Sequence, residues 1–264
     1  MYGAIIGDIV GSIYEFDNIK TKDFPLFRDE CFFTDDTVMS VCVAKALMIY
    51  ETEDIHNFKK GLISTMHDVG GRYPLCGYGG RFGSWIARRE TFPYNSWGNG
   101  SAMRVSPVIW YAKTFEDAEI LAKATAEVTH NHPEGIKGAV VTACAGWLAK
   151  NGESKEEIKQ YIGENYDINF TLDEIRPTYQ FNESCQETVP QAMVAFLESD
   201  SFEDAIRNAI SIGGDSDTLA AITGAVAEAF YGIDGAVSLY AMSYLDEEMN
   251  NIVKEFTDQY VKYR

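Results

Sequence analysis

The sequence is poor in cysteine, in basic residues and in long apolar segments. Its five cysteines are scattered and none belongs to a CxxC pair, a pattern that favours reduced thiols over a disulfide framework or a zinc site. The apolar run at residues 138–149 is too short to cross a bilayer. The opening residues MYGAIIGD carry an aspartate and no basic leader, so we expect a cytoplasmic protein without a signal peptide or a membrane segment.

Acidic residues are abundant where basic ones are few. The chain has 40 Asp and Glu against 22 Lys and Arg, and its formal net charge is −18 at pH 7. Such a surface repels nucleic-acid phosphate and anionic membranes, and it attracts divalent cations. A substrate with phosphates would need local positive charge from metals, arginines or backbone N–H groups. With 264 residues and 46% hydrophobic content, we expect one domain over residues 1–264.

Strand-like alternation is almost absent, whereas apolar residues recur at helical spacing along most of the chain. We therefore predict an all-α fold, with residues 169–172 as a possible short extended piece and no linker or repeat. Ser154 and Glu157 are predicted to cap a helix, and Pro190 to lie in the first turn of another. The predicted helices span residues 36–50, 116–128, 136–150, 154–161, 190–198, 201–210, 217–231, 236–245 and 247–260.

Residues 70–100 interrupt this helical pattern because they are rich in glycine, aromatic residues and arginine. They contain the motifs GYGGRFG at 77–83 and SWGNG at 96–100. Inside a compact helical domain, such a segment is more typical of a binding loop than of a packing element.

Two short acidic clusters stand directly before apolar, helix-forming runs: FTDDT at 33–37 and GGDSDT at 213–218. Either cluster alone is explained as a helix N-cap, because Thr and Asp are preferred there. Two similar clusters that face each other would form a cage of oxygen ligands, which suits Mg²⁺ or Mn²⁺. The pair therefore predicts a metal-dependent enzyme with its metals between two helix N-termini.

A polar face near the N-terminus is the next candidate. If residues 8–15 are helical, Asp8, Ser12 and Glu15 fall at i, i+4 and i+7 on one side. The face is either solvated or turned towards a site. The apolar character of the surrounding residues favours a face turned towards a site.

Two further positions leave alternatives open. GNGSAMRV at 98–105 is a glycine-rich entry into a helix, a pattern typical of anion binding, and Arg104 either reaches a phosphate or forms a buried pair with a carboxylate. His130 and His132 are too close for HExxH spacing and lack a neighbouring cysteine, which disfavours zinc. His130 either contacts a ligand or interacts with a helix dipole.

Taken in order, six motifs resemble the ADP-ribosylglycohydrolase family, the group of the dinitrogenase-reductase-activating glycohydrolase. They are GDIVGSIYE, FTDDTVM, GYGGRFG, GNGSAMRV, the TH of THNHPEG, and GGDSDTLAAITGA, and they extend from residue 3 to about residue 232. The resemblance implies a compact all-α orthogonal bundle with a binuclear Mg²⁺ or Mn²⁺ centre. It also implies cleavage of the glycosidic bond between ADP-ribose and an acceptor.

The resemblance implies a role for each matching residue. The metal ligands would be Thr34, Asp35, Asp36, Asp215, Asp217 and Thr218. Glu15 matches the acidic residue near the scissile ribose, and either Glu15 or an aspartate of the metal cluster such as Asp36 would handle protons. Contacts to ADP-ribose would come from Gly77, Gly79, Gly80, Ser96, Trp97, Gly98, Asn99 and His130, with Trp97 beside the base.

The chemistry implied by the resemblance proceeds through oxocarbenium character on the ribose, with metals that orient its hydroxyls and activate a water. Arginine on an ADP-ribosylated protein or a small ADP-ribosyl conjugate is the expected acceptor, with serine, nucleobase and O-acetyl linkages as alternatives. We expect a monomer.

Two other interpretations compete. A phosphatase of the haloacid-dehalogenase kind carries a DxDxT motif, but that motif should follow an N-terminal strand. A non-catalytic relative would be expected to lose carboxylates, which this chain retains.

Overall fold

The computed structural model describes residues 1–263. The all-α prediction is confirmed, because within these residues the β-type pairing is limited to one isolated antiparallel bridge between Gly98 and Ser184. The α-helices are α1 (Tyr2–Gly11), α2 (Asp35–Ile49), α3 (Ile55–Thr65), α4 (Gly80–Ala87), α5 (Gly100–Met103), α6 (Ser106–Tyr111), α7 (Phe115–Glu127), α8 (Pro133–Asn151), α9 (Lys155–Gly163), α10 (Leu172–Ile175), α11 (Cys185–Leu197), α12 (Phe202–Ser211), α13 (Ser216–Tyr231), α14 (Gly235–Met242) and α15 (Glu247–Tyr260).

All nine predicted helices are present, and the predicted cap of α9 forms as a capping box between Ser154 and Glu157. The predicted place of Pro190 is wrong, because α11 begins five residues earlier, at Cys185. The Cys185 side chain is buried against Gly138 of α8, and this contact stabilises the first turn of α11. Most residues of this turn are polar, so apolar spacing in the sequence does not predict it. The possible extended piece at 169–172 does not form a strand, since α10 begins at Leu172.

The predicted binding loop at residues 70–100 is only partly irregular. It contains α4, whose apolar residues Phe82, Trp85 and Ile86 are buried on one side. The π-helical segment Met66–Gly70 precedes it. Packing of these side chains therefore orders a glycine-rich segment that composition alone predicts to be a loop.

Helix α13 lies at the centre of the molecule and is buried from Ser216 to Glu228. It packs against α1, α8, α11 and α12. The contact with α1 is a backbone contact, because a Cβ on Gly7 would lie 2.1 Å from the Ala220 carbonyl oxygen. Glycines on α1 thus bring the two helix axes together.

Helix α2 also lies in the core and packs against α1 and α15. As a result, the end of α1 and the beginnings of α2 and α13 meet on one side of the molecule, and the candidate site lies there. None of the helices in the described part combines the length and the hydropathy required to span a bilayer.

Candidate active site

Carboxylates from three elements meet at this convergence. Glu15 directly follows the 3-10 turn after α1, Asp35 and Asp36 begin α2, and Asp217 lies in the first turn of α13, which Asp215 precedes as its N-cap residue. Carboxylate oxygens of Glu15, Asp215 and Asp217 lie within 4.8 Å of one another. The structure therefore brings the two acidic clusters of the sequence together and adds Glu15 to them.

A direct hydrogen bond joins the two clusters. The Thr218 hydroxyl donates to Asp36 Oδ2 at 3.1 Å, while the Thr218 backbone N–H donates to Asp217 Oδ1 at 2.9 Å. The other carboxylate oxygen of Asp36, Oδ1, is buried and has no hydrogen-bond donor among the described residues. A buried oxygen without a donor is costly, and a bound cation would satisfy it.

Asp8 holds the beginning of α2 in place. Its buried carboxylate accepts hydrogen bonds from the Thr34 N–H at 2.9 Å, the Thr34 hydroxyl at 2.7 Å and the Thr37 N–H at 3.0 Å. Ser12, on the same face, accepts from the Phe32 N–H at 3.1 Å. Asp8 and Ser12 thus anchor the chain leading into α2. Thr34 takes part in this anchor directly beneath the proposed metal ligands Asp35 and Asp36, and it is not among the described residues that line the cleft.

Burial and mutual repulsion dominate the electrostatics of the cluster. Burial, followed by the charges of Asp217 and Asp8, raises the pKa of Glu15 to about 8. Burial and the neighbouring carboxylates raise the pKa values of Asp35, Asp36 and Asp217 above the usual range for aspartate.

Burial also raises the pKa of Asp215, to about 6, although Asn99 Nδ2 donates to its carboxylate at 2.7 Å. Within residues 1–263, no lysine or arginine forms an ion pair with any carboxylate of the cluster. Oxygen ligands without a basic partner fit divalent cations.

An open cleft of about 850 Å³, counting the space at its mouth, lies over the carboxylates. Most of the predicted ligand contacts line it: Gly77, Gly79, Gly80, Ser96, Gly98, Asn99 and His130. A Cβ on Gly79 or Gly80 would meet no atom within 4 Å. Packing therefore does not require glycine at these two positions, and their missing side chains leave room for a ligand.

Trp97 is not one of the described residues that line the cleft. Its indole is 53% exposed and contacts the His132 ring at 5.6 Å. The phenylalanine and tyrosine rings that line the cleft are instead Phe82, Tyr94 and Phe181, and the Arg81 guanidinium lies 4.3 Å from the centre of the Tyr94 ring. Sequence reasoning misses Tyr94, which carries no motif of its own.

Arg104 is 1% exposed at the inner end of the cleft. It donates hydrogen bonds to the Thr125 carbonyl at 2.8 Å and to the Thr129 hydroxyl at 2.9 Å. Its Nε has no acceptor among the described residues, and none of their carboxylates forms an ion pair with it. The alternative of a buried carboxylate pair is therefore not realised.

His130 packs beneath the turn at residues 98–100. Its Nδ1 lies 2.7 Å from the Thr129 hydroxyl, and its Nε2 would lie 3.3 Å from a Cβ on Gly100. Burial, and then the charge of Arg104, lowers the pKa of His130 well below its usual value. The ring is neutral at pH 7, so it does not act as a cation on a helix dipole.

Two residues of the lining come from a distant part of the chain. Phe181 and Glu183 precede α11 and enter the cleft beside the bridge between Gly98 and Ser184. No local pattern around residues 179–184 predicts that Phe181 and Glu183 line a cleft, so the sequence alone does not identify this side of the site.

Known proteins resemble this chain along most of its length. A family model described as ADP-ribosylglycohydrolase matches residues 1–261. The ADP-ribosylhydrolase ARH3 of Homo sapiens is 24% identical over 96% of this chain and 90% of its own length. The ADP-ribosylarginine hydrolase Tri1 of Pseudomonas putida (strain GB-1) is 27% identical over 89% of this chain and 70% of its own length. A solved ADP-ribosylglycohydrolase-related protein complex has the same fold, with a TM-score of 0.68 and 22% identity over 97% of this chain and 96% of that one.

Proposed function

Because this chain belongs to the ADP-ribosylglycohydrolase family, a family of hydrolases, we propose that it cleaves the glycosidic bond between ADP-ribose and an acceptor in a metal-dependent reaction. The match to the family model confirms the resemblance carried by the six motifs. The observation that carries the proposal is the convergence of five carboxylates from three elements beneath an open cleft, with no basic partner among the described residues.

Two divalent cations, Mg²⁺ or Mn²⁺, fit this donor set. The proposed ligands are Thr34, Asp35, Asp36, Asp215, Asp217 and Thr218. The unsatisfied Oδ1 of Asp36 and the raised pKa values of the cluster support them. When bound, such cations supply Lewis-acid chemistry that orients the ribose hydroxyls and lowers the pKa of a water. The chain's own contribution is to bury the carboxylates and to fix them through Asp8 and Asn99.

Glu15 is the proposed general acid and base. In the reaction, the bond from C1'' to the acceptor nitrogen or oxygen breaks, a water oxygen bonds to C1'', and a proton reaches the leaving atom. Without a bound cation, burial and the neighbouring carboxylates raise the pKa of Glu15 to about 8, and a carboxyl group beside the leaving atom can give it a proton. Asp36 is the alternative proton carrier, and its lower exposure favours a ligand role.

The ADP part of the substrate is proposed to lie along Gly77, Gly79, Gly80, Ser96, Gly98 and Asn99. A diphosphate needs local positive charge in a protein of net charge −18. Arg104 supplies it in the lining, and Arg81, which pairs with Glu90 at 2.6 Å, adds N–H donors beside it. Tyr94 provides an aromatic surface in the same part of the cleft. Trp97 is proposed to contact the base where the ligand extends beyond the lining of the cleft.

Arginine-linked ADP-ribose, on a protein or a small conjugate, is the proposed substrate, and Tri1, whose name specifies ADP-ribosylarginine, supports it. Serine, nucleobase and O-acetyl linkages are the alternatives. We further propose that the chain is one domain and acts as a cytoplasmic monomer.

The test is release of free ADP-ribose from ADP-ribosylarginine with Mg²⁺, with Mn²⁺ and with EDTA. We expect release that requires the cation and is lost in Asp217→Ala. Release from the serine or O-acetyl conjugate alone would overturn the arginine assignment. A protein that neither binds ADP-ribose nor releases it from any conjugate would overturn the proposed function, and phosphate release from phosphoesters would then favour the phosphatase interpretation.

A further inference from the structure

An aromatic pair next to Glu15 extends from the lining of the cleft, because Phe181 belongs to the lining and Phe16, which lies outside it, stacks on Phe181. Phe16 follows Glu15 directly and is 86% exposed. Its ring stacks on that of Phe181, with 6.1 Å between the ring centres and 23° between the planes. Exposure of an apolar ring to water is unfavourable. An exposed phenylalanine pair beside a proposed catalytic carboxylate is therefore unusual.

The residues around this pair are firmly held. Asn18 donates to the Glu15 carbonyl at 3.0 Å and to the Gly214 carbonyl at 2.9 Å, and it accepts from the Gly214 N–H at 2.7 Å. The Asn99 N–H donates to the Glu183 carbonyl at 2.7 Å. Asn18 thus ties the Phe16 segment to the backbone beside Asp215, and Asn99, whose side chain donates to the Asp215 carboxylate, ties the segment of Phe181 and Glu183 to the same cluster. The aromatic pair therefore has a defined position relative to the carboxylates.

Glu183 adds a negative charge at this side of the cleft. Its side chain lines the cleft and is exposed, and its charge contributes to the raised pKa of Glu15. Among the described residues, no cation forms an ion pair with its carboxylate. Of the arginines in the lining, Arg81 instead pairs with Glu90 at 2.6 Å and Arg104 donates to Thr129.

We propose that Phe16, Phe181 and Glu183 form the acceptor subsite and select a cationic leaving group, the guanidinium of an ADP-ribosylated arginine. A planar guanidinium stacks on aromatic faces and pairs with a carboxylate through its fork of N–H donors. A serine hydroxyl or an acetyl ester offers neither the charge nor the fork. The subsite rests on the proposed function, because Glu15 defines where the acceptor leaves.

The experiment compares wild type with Glu183→Gln and Phe181→Leu on ADP-ribosylarginine and on O-acetyl-ADP-ribose. We expect each variant to lower kcat/KM for the arginine conjugate about tenfold relative to that for the acetyl conjugate, because Glu183→Gln weakens a charge-assisted hydrogen bond and Phe181→Leu removes a cation–π contact. Calorimetric affinity for ADP-ribose, which has no acceptor, should stay within twofold. Glu187→Gln is the matched control, since this exposed residue removes the same charge nearby but outside the cleft lining.

The outcomes separate the subsite from the proposed function. If wild type cleaves ADP-ribosylarginine and Glu183→Gln leaves the ratio of the two kcat/KM values unchanged, the subsite is wrong and the hydrolase proposal stands. Wild type that cleaves only the acetyl conjugate would likewise overturn the subsite. If wild type cleaves neither conjugate and binds no ADP-ribose, the proposed function fails, and the subsite fails with it.

Discussion

Gly11 lies in direct backbone contact with Asp217. A Cβ on Gly11 would lie 2.5 Å from the Asp217 Cα and 2.6 Å from its backbone nitrogen, distances that only glycine avoids. The contact brings the end of α1 against the first turn of α13, so that Glu15, four residues beyond Gly11, reaches the aspartates of the second cluster. The spacing between the carboxylates therefore depends on the absence of a side chain at Gly11.

The first prediction concerns Gly11→Ala. The added methyl must push α1 away from α13, and overpacking of this kind lowers the free energy of unfolding by about 1–3 kcal/mol. It should also reduce turnover, because Glu15 moves away from Asp217. Denaturant unfolding and ADP-ribose release measure the two effects. Gly83→Ala is the control, since its Cβ would make only an ordinary 3.5 Å contact with Tyr78, and equal stability of the two variants would contradict the prediction.

The second prediction concerns the proposed ligands. Asp36→Ala and Asp217→Ala should each abolish hydrolysis while leaving the helical content and cooperative unfolding intact, because these carboxylates repel their neighbours and make no ion pair within residues 1–263. Turnover in saturating Mg²⁺ or Mn²⁺ and circular dichroism provide the measurements. Full turnover in either variant would show that the binuclear proposal is incorrect.

The third prediction concerns pH and stability in EDTA. The pKa of Asp215 is about 6 in the folded protein and about 3.9 in an unfolded chain. The folded state therefore holds more protons between these values, and this contribution to stability is lost as the pH rises through 6. The Tm in EDTA should fall from pH 5 to pH 7.5.

Added Mg²⁺ should raise the Tm more at pH 7.5 than at pH 5, because protons compete with the cation for the same oxygens. Scanning calorimetry of wild type beside Asp215→Asn isolates the cluster, since the variant should show a weaker dependence on pH. A Tm in EDTA that rises over this range by the same amount in both proteins would refute the assignment.

The helices and the acidic clusters could be predicted from the sequence because both depend on local patterns. Apolar spacing indicates buried helix faces, and Thr and Asp before such runs indicate helix starts. Helix α4 could not be predicted in this way. Gly79, Gly80 and Gly83 suggest a loop, whereas burial of Trp85 stabilises the segment as a helix.

The mouth of the cleft also escapes prediction. Phe181 and Glu183 reach it only through the contact between Ser184 and Gly98, which joins segments far apart in the sequence. The polar face of α1 shows a related limit, because its spacing is correct but Asp8 serves as an anchor for Thr34 while Glu15 faces the cleft. Periodicity identifies a face, and only the packing of other elements decides which residues on it remain open to a ligand.

The fourth prediction concerns Glu15→Gln. The amide keeps the size of the side chain and removes its ability to exchange a proton, so kcat should fall by at least about a hundredfold, the usual range for a general acid or base. The affinity for ADP-ribose should change far less, because the carboxylate serves the leaving group. Single-turnover kinetics and calorimetry provide the comparison, and equal losses in both quantities would make Glu15 a binding residue instead.

The last prediction tests the open glycines with a matched pair. Gly80 and Gly235 are each the first residue of an eight-residue helix, α4 and α14, and a Cβ at either position would meet no atom within 4 Å. Alanine should therefore be tolerated at both, with a gain of about 0.4–1 kcal/mol in the free energy of unfolding, because it restricts the unfolded chain.

Only Gly80 lines the cleft, so only Gly80→Ala should weaken ADP-ribose binding, by about tenfold if the methyl displaces a phosphate or ribose contact. Calorimetry in the presence of Mg²⁺ measures the affinity, and thermal unfolding shows that both variants fold. Because the two positions match in helix position and in free space, a loss confined to Gly80→Ala must come from the ligand. Equal affinities would mean that ADP-ribose does not approach Gly80, and the proposed ligand contact at this position would be wrong.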